Sequence, residues 1–448
     1  MGVESPVLPF SFLKDTIMYR LQDIQEALQN VVGWEADYRA NLTQGNTESE
    51  SGMYFQQAHP LLTLNNIRAI MPDDWDTQYP SWKQDKIYNE GDKVRDGGKV
   101  YVATRTHVNY KPSMYPDYWA EYDTINDYLP LLVRRGVSKM VQTFVQQKQL
   151  QRESKDLLEH RTFFDGAGRL SATIMGTHKV VGFEIVPLRS FGVTTKVERI
   201  GLQMTGATGM VTMFLFHSSQ YEPIGVYELN FTKENGGFQW FNIDNCYLPY
   251  RGDNTNDGGA WYLCYYQDSL PLGMEAIQMT KDWSKEPCTT CGIRDLRAWR
   301  ELTKHIQISP FCANVSEGWG DNPMLWDIAQ NIYTSTTNYG LNCEVTIGCD
   351  LTDFIVSQRQ IFATCLQRQV AFDALRTLAL NPDVRVNRNQ SNAERQDILY
   401  ELDGNTQGRR GGLGYDLEKA YDALRIDTKG MDRVCLACNN YGVQYTTC

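Results

Sequence analysis

The chain has 448 residues, 42% of them apolar, and sets 43 Lys and Arg against 54 Asp and Glu for a net charge of −11. That length implies roughly two to four domains with real hydrophobic cores. The acidic balance argues against a surface dedicated to wrapping nucleic acid. No apolar run reaches bilayer-spanning length, and the start MGVESPVLPFSFLKDT lacks the basic and apolar regions of a secretory leader.

Leu13, Ile17, Leu21, Ile24, Leu28 and Val31 recur at helical spacing and predict an amphipathic helix across 12–31. Residues 41–53 are polar and carry glycine, as a surface loop does. A short helix from Leu61 to Met71 follows, stopped by Pro72. Aromatic residues then crowd the stretch 75–122, where Val94, Val100 and Val102 mark two short strands around Gly97-Gly98. A unit of that size cannot bury a core of its own and needs aromatic packing or a host. Beyond it, Ile125, Leu129, Leu132, Val133, Val137, Met140, Val141, Phe144 and Val145 predict a long helix, which runs into a polar stretch over 146–160.

From about Ser171 the apolar period changes to two. The runs 179–188, 196–205, 210–218, 224–232, 238–248, 260–267 and 274–280 read as strands of an antiparallel β-sandwich. Phe354, Ile355, Ile361, Phe362, Leu366, Val370, Leu375 and Leu378 restore helical spacing, and 393–402 and 415–424 continue it. The fold class is therefore multidomain α+β: a helical domain interrupted by a small aromatic-rich β module and by an antiparallel sandwich. The expected divisions are 1–74 helical, 75–122 the β insert, 123–165 helical continuation, 166–315 sandwich and 316–448 helical. Because helical segments flank the sandwich, the sandwich itself reads as an insertion into one helical domain.

All 11 cysteines lie between Cys246 and Cys448. Buried free thiols of a reducing compartment explain them most simply. Two CxxC pairs, Cys288 with Cys291 and Cys435 with Cys438, offer four thiolates to a structural zinc. About 140 residues separate the pairs, where a compact site has roughly 15–20, so free thiols are the favoured reading. No other cofactor is expected. Arg251-Gly252-Asp253 and the following DNTNDGG read as turns. Arg409-Arg410, set among glycines, reads as a solvated loop. There is no P-loop, no GxGxxG and no GxSxG, and the six histidines are scattered. No catalytic residue is assigned and the chain is read as non-enzymatic.

Trp82, Tyr88, Gly91-Asp92-x-Val94, Gly98-Lys99-Val100-Tyr101-x-Ala103, Pro116 and Trp119 together resemble chitin-binding-type carbohydrate-binding modules. The resemblance implies that aromatic rings at Trp82, Tyr88, Tyr101 and Trp119 stack on sugar. Such rings also serve as a module's own core. That is the favoured reading for Tyr101 and Trp119, and both readings stay open for Trp82 and Tyr88. The block VERIGLQMTGATGMVTMFLFHSS resembles jelly-roll or galactose-binding-like sandwiches.

LTLNNIRAIMPDD, DYLPLLVRRGVSKMVQTF, GYDLEKAYDAL and DRVCLACNNYGVQY resemble the head-to-tail connector and tail ring proteins of crAss-like tailed bacteriophages. The resemblance implies a ring of about twelve copies, next to the portal and other tail proteins, through which double-stranded DNA passes. It places the chain in the virion, assembled in the cytoplasm of a bacterial host, without membrane insertion. The competing expectation is a tail-associated receptor-binding protein that grips host polysaccharide through the aromatic insert. The ring expectation carries a structural corollary: apolar helix surface left uncovered by the folded subunit.

Overall fold

A computed structural model describes residues 19–36, 41–147, 156–163, 170–174, 176–188, 192–250, 259–279, 293–333, 337–380, 392–403 and 411–425. The chain divides into two compact units, one joining 20–150 to 355–427 and the other built on 151–354.

The first unit opens with α1 (Leu21–Leu28), α2 (Gln44–Thr47) and α3 (Leu64–Ile70). The aromatic insert follows, with β1 (Ile87–Tyr88), β2 (Lys93–Asp96), β3 (Lys99–Ala103), β4 (His107–Val108) and β5 (Trp119–Glu121). Then comes the 23-residue α4 (Ile125–Gln147). Leu13 and Ile17 of the first expected helix fall outside the described residues.

The second unit carries β6 (Asp156–Thr162), β7 (Leu170–Ile174), β8 (Lys179–Pro187), β9 (Val193–Met204), β10 (Gly209–His217), β11 (Gly225–Phe231), β12 (Gly237–Asn242), β13 (Tyr247–Pro249), β14 (Trp261–Tyr266), β15 (Ala276–Met279), α5 (Ile293–Leu302), β16 (Ile306–Asn314), β17 (Ile332–Tyr333) and β18 (Leu341–Cys349). The chain returns to the first unit through α6 (Thr352–Ser357). It continues in α7 (Ala363–Leu380), α8 (Asn392–Asp403) and α9 (Leu413–Ala423).

The fold is mixed α+β, with antiparallel sheets arranged as a sandwich. One sheet has six strands in the order β11-β10-β14-β8-β16-β17. The other runs β6-β18-β9-β15-β7, with β12 and β13 also paired to the long strand β9. Between the sheets, Val181, Phe183 and Ile185 of β8 and Met213 and Leu215 of β10 meet Ile200 and Leu202 of β9 and Cys343 and Val345 of β18 in one core. The six-stranded sheet also buries its other face. There Phe214, Phe216, Tyr262, Tyr266 and Phe311 lie under Trp319 and Trp326 of the segment that follows β16. Trp326 stacks on Phe311 at 5.3 Å, and Trp319 meets Phe214 edge-on at 5.4 Å. A strand covered on both faces has no polar side, which is why β14 reads WYLCYY without alternation.

Strand structure extends further than the sequence pattern indicates. β6 occupies part of the polar stretch assigned to the helical continuation, and β17 and β18 lie past residue 315 in the segment assigned to helices. β6 hides because its pattern is mostly polar and half-exposed. β18 does alternate, setting Leu341, Cys343, Val345, Ile347 and Cys349 against Asn342, Glu344, Thr346 and Gly348, and its pairing with β9 slips between Glu344 and Val345.

In the helical unit α7 is the central element. It packs against α3, α4, α8 and α9, and Cys365, Leu366, Val370, Ala374, Leu375 and Leu378 are all buried. α4 turns Leu129, Val133, Val137, Met140, Val141 and Phe144 inward, with Phe144 edge-on to Phe362 at 5.2 Å. This corrects the expectation of uncovered helix faces. The apolar stripes of α4 and α7 are consumed inside the folded chain, because an 18-residue helix with neighbours on several sides has no stripe to spare.

Cys246, Cys264, Cys312, Cys343 and Cys365 are buried free thiols. Burial pushes the Cys246 thiol up to about 11, against the lowering effect of its hydrogen bond with Tyr227. Cys349 differs from the thiol expectation, being disulfide-bonded.

Candidate functional site

The insert is two small sheets joined by aromatic packing. β2, β3 and β5 form one antiparallel sheet, and β1 pairs with β4 in the other. Gly97 and Gly98 turn the chain between β2 and β3 with φ of +60° and +81°. That is the left-handed pair a two-residue hairpin turn requires.

Tyr88, Val94, Ala103 and Trp119 fill the middle of the insert, with Trp82, Tyr101 and Tyr118 leaning on them. Tyr88 and Trp119 are 1% and 3% exposed and meet at 5.2 Å. Their polar atoms are spent internally as well. The Tyr88 hydroxyl accepts from the Lys83 amide at 2.7 Å, and the Trp119 indole donates to the Tyr110 carbonyl at 2.8 Å. Of the four rings singled out in the sequence, these two are core, and Trp82 and Tyr101 are half-buried against it. The Trp82 indole nitrogen is itself buried with no hydrogen-bond partner among the described residues. None of the four presents a fully open face.

The ring that is exposed is another, Tyr115, at the end of a ladder of half-buried rings. Arg105 lies 4.3 Å over Tyr118, Tyr118 stacks on Tyr110 at 4.0 Å, and Tyr115 stands edge-on to Tyr110 at 4.9 Å. Tyr115 and Met114 are exposed, as are the cross-strand partners Ile87 and Val108. Beneath this ladder sits His107, buried among Tyr88, Tyr110, Tyr118 and Trp119 at ring distances of 4.7 to 5.9 Å. Neither of its nitrogens has a hydrogen-bond partner among the described residues. Burial lowers its pKa, and the nearby Arg105 charge lowers it further. The imidazole is held neutral.

A carboxylate fastens the insert to the helices. Asp127, in the first turn of α4, accepts hydrogen bonds from the Tyr79 hydroxyl at 2.6 Å and the Tyr122 hydroxyl at 2.8 Å. Lys93 of β2 spans both its oxygens at 2.8 and 2.9 Å. Burial opposes the Asp127 charge, but the Lys93, Tyr79 and Tyr122 donors outweigh it and hold the carboxyl below its usual range. Tyr79 and Tyr122 are pushed up, by burial first and by the carboxylate second. Arg68 of α3 pairs with Asp123 beside them. Sequence reasoning missed this hub, since Tyr79, Lys93, Tyr122 and Asp127 share no motif and meet only in space.

Cys288, Cys291, Cys435 and Cys438 lie outside the described residues, as do Arg251-Gly252-Asp253 and Arg409-Arg410. Among the described residues, no three His, Cys, Asp or Glu side chains are grouped to hold a metal. No helix of the described residues is long and apolar enough to cross a membrane. No family model, curated protein or solved structure matches the chain.

Proposed function

We propose that the chain is a non-enzymatic structural subunit of a bacteriophage virion. It would form a cyclic ring in the head-to-tail connector or tail, seal the genome conduit and dock neighbouring tail proteins. The likeness of its helical segments to connector and ring proteins motivates this reading. The observation that carries it is a different surface from the helix faces first expected. The six-stranded sheet ends on two dissimilar strands, β11 and β17, neither paired on its outer side among the described residues. Each end shows apolar side chains to solvent: Ile224, Val226 and the adjacent Met210 at one, Ile332 and Tyr333 at the other. An open apolar edge is a template for pairing with another chain. A contact between two different surfaces of identical subunits is heterologous, and it yields a ring when the rotation closes.

The test is the assembly state of the purified protein, by light scattering and negative-stain microscopy, alone and with virion neighbours added. Cyclic oligomers are expected, and Val226→Lys or Ile332→Lys should reduce them to monomer. A strictly monomeric wild type at micromolar concentration, with neighbours present, overturns the reading.

One observation favours a second reading, in which the insert grips host polysaccharide. The exposed Tyr115 ring beside the Tyr110–Tyr118 stack is the kind of surface a pyranose face packs on. A glycan array with Tyr115→Ala separates the two readings, because a signal lost in the variant supports the sugar and no signal at all leaves the insert a packing module.

A further inference from the structure

α7 and α9 run antiparallel, with Gly414 at the start of α9 beside Phe372 of α7 and Ala420 and Ala423 towards its end beside Thr364. Arg368 of α7 donates to the Asp416 carbonyl of α9 at 2.6 Å, and Tyr421 of α9 donates to Gln369 of α7 at 3.0 Å. At the end of this pair, where the start of α7 faces the end of α9, the helices part around a cleft of about 520 Å³. That volume is typical of small-molecule sites.

The lining is chemically one-sided. Arg368, Lys419 and Arg425 contribute three cations, and no Asp or Glu is among the lining residues. Ile361, Leu424 and two alanines supply the apolar part, and Thr364 a hydroxyl. Arg425 has no ion-pair partner among the described residues. Lys419 pairs with Asp422 at 3.3 Å, in a pair so exposed that it is weak, and lies 5.5 Å over the Tyr415 ring. Arg368 bonds a carbonyl, and no ion pair of its charge is formed among the described residues. Three like charges around one concavity repel each other and raise the local potential for anions. In a chain of net charge −11 such a grouping is out of keeping with the surface as a whole.

We propose that this cleft binds a small amphiphilic anion, with a phosphate or carboxylate head on Arg368, Lys419 and Arg425 and an apolar body against Ile361 and Leu424. A guanidinium fork suits either head group. The site is separate from the sheet edges and from the insert, so it stands or falls independently of the ring reading.

The experiment is calorimetric titration of the full chain at low salt with octyl phosphate and with octanoate, both below micelle formation. Saturable binding of at least one, at one site per chain and weakening as salt rises, is expected. The preferred head group tells phosphate from carboxylate. The double variant Lys419→Gln with Arg425→Gln alters two exposed side chains and should lower affinity on the order of tenfold or more. Ala423→Trp keeps every charge but fills the cleft, and should abolish binding. Failure of both amphiphiles to bind overturns the proposal, and so does binding that is unchanged in the double variant or in the filled cleft.

Discussion

The side-chain amide of Asn46 donates to the backbone carbonyl of Asn126 at 3.0 Å, and that carbonyl is the one Pro130 leaves without its helical donor. Proline inside a helix removes the N–H that should bond four residues back. Both asparagines are buried, so water cannot make up the loss. Asn126 is held in turn by the Thr43 amide at 2.8 Å and by its own donation to the Asn41 carbonyl at 2.9 Å. The loop around α2 thus closes a defect in α4. Asn46→Ala should cost about 1–3 kcal/mol by orphaning a buried carbonyl. In a Pro130→Ala background the helix regains its own donor, so the same substitution should cost clearly less. Denaturant unfolding of the four proteins measures that coupling, and equal costs in both backgrounds would remove Pro130 from the explanation.

Asp127 binds the insert to α4 through three donors, and its removal should be felt at the junction. Asp127→Ala leaves the Lys93 ammonium and two tyrosine hydroxyls without their acceptor. The group is partly solvated, so a loss of about 2–3 kcal/mol is expected. The carboxyl is depressed in the folded chain. Its stabilisation is therefore complete above the ordinary carboxylate pKa and lost as pH falls through that value towards the lower folded one. Limited proteolysis between 75 and 122 reads the undocking. Wild-type resistance in Asp127→Ala at neutral pH would show that the hub is dispensable.

The sequence made the sandwich legible where apolar residues recur on the side of a strand that carries the inter-sheet core. β8 to β11 fall within a few residues of the runs marked in this way, and β11 also alternates buried with exposed positions. It failed where other physics controls the strand. β16 carries Pro310 at its centre, a residue that argues against a strand, yet pairs with β8 along its whole length. In the insert, spacing located the aromatic residues but could not tell a core ring from a displayed one. Tyr88 and Trp119 sit inside while Tyr115 faces out, a distinction that only the folded chain makes. The basic cleft was illegible for a related reason, because Arg368 and Arg425 stand 57 residues apart and converge only when α7 packs on α9.

Gly136 of α4 faces α7 so closely that an added Cβ would lie 2.4 Å from the Val370 Cγ2 atom. On propensity alone Gly136→Ala gains about 1 kcal/mol. Val370 is buried and β-branched, so it cannot swing aside, and overpacking should reverse the sign to a net loss of about 1–3 kcal/mol. Adding Val370→Ala makes room for the new methyl. The double variant should then be more stable than the two single losses sum to. A stabilising Gly136→Ala would mean that the two helices separate freely.

His107 makes the insert sensitive to acid. Its neighbours are Tyr88, Tyr110, Tyr118, Trp119 and the cation Arg105, with no carboxylate among them. Burial and then Arg105 lower its pKa in the folded chain, so the unfolded chain takes up the proton first. The insert should keep its full stability above the ordinary histidine value near 6.5 and lose it progressively as pH falls from there. His107→Phe retains a ring in the aromatic cluster and removes the titration. Calorimetric melting of both proteins at neutral and mildly acidic pH tests this. The wild type should lose stability on acidification, and the variant should hold steady through the same window. If both fall in parallel, the acid sensitivity arises elsewhere and the neutral imidazole is not its source.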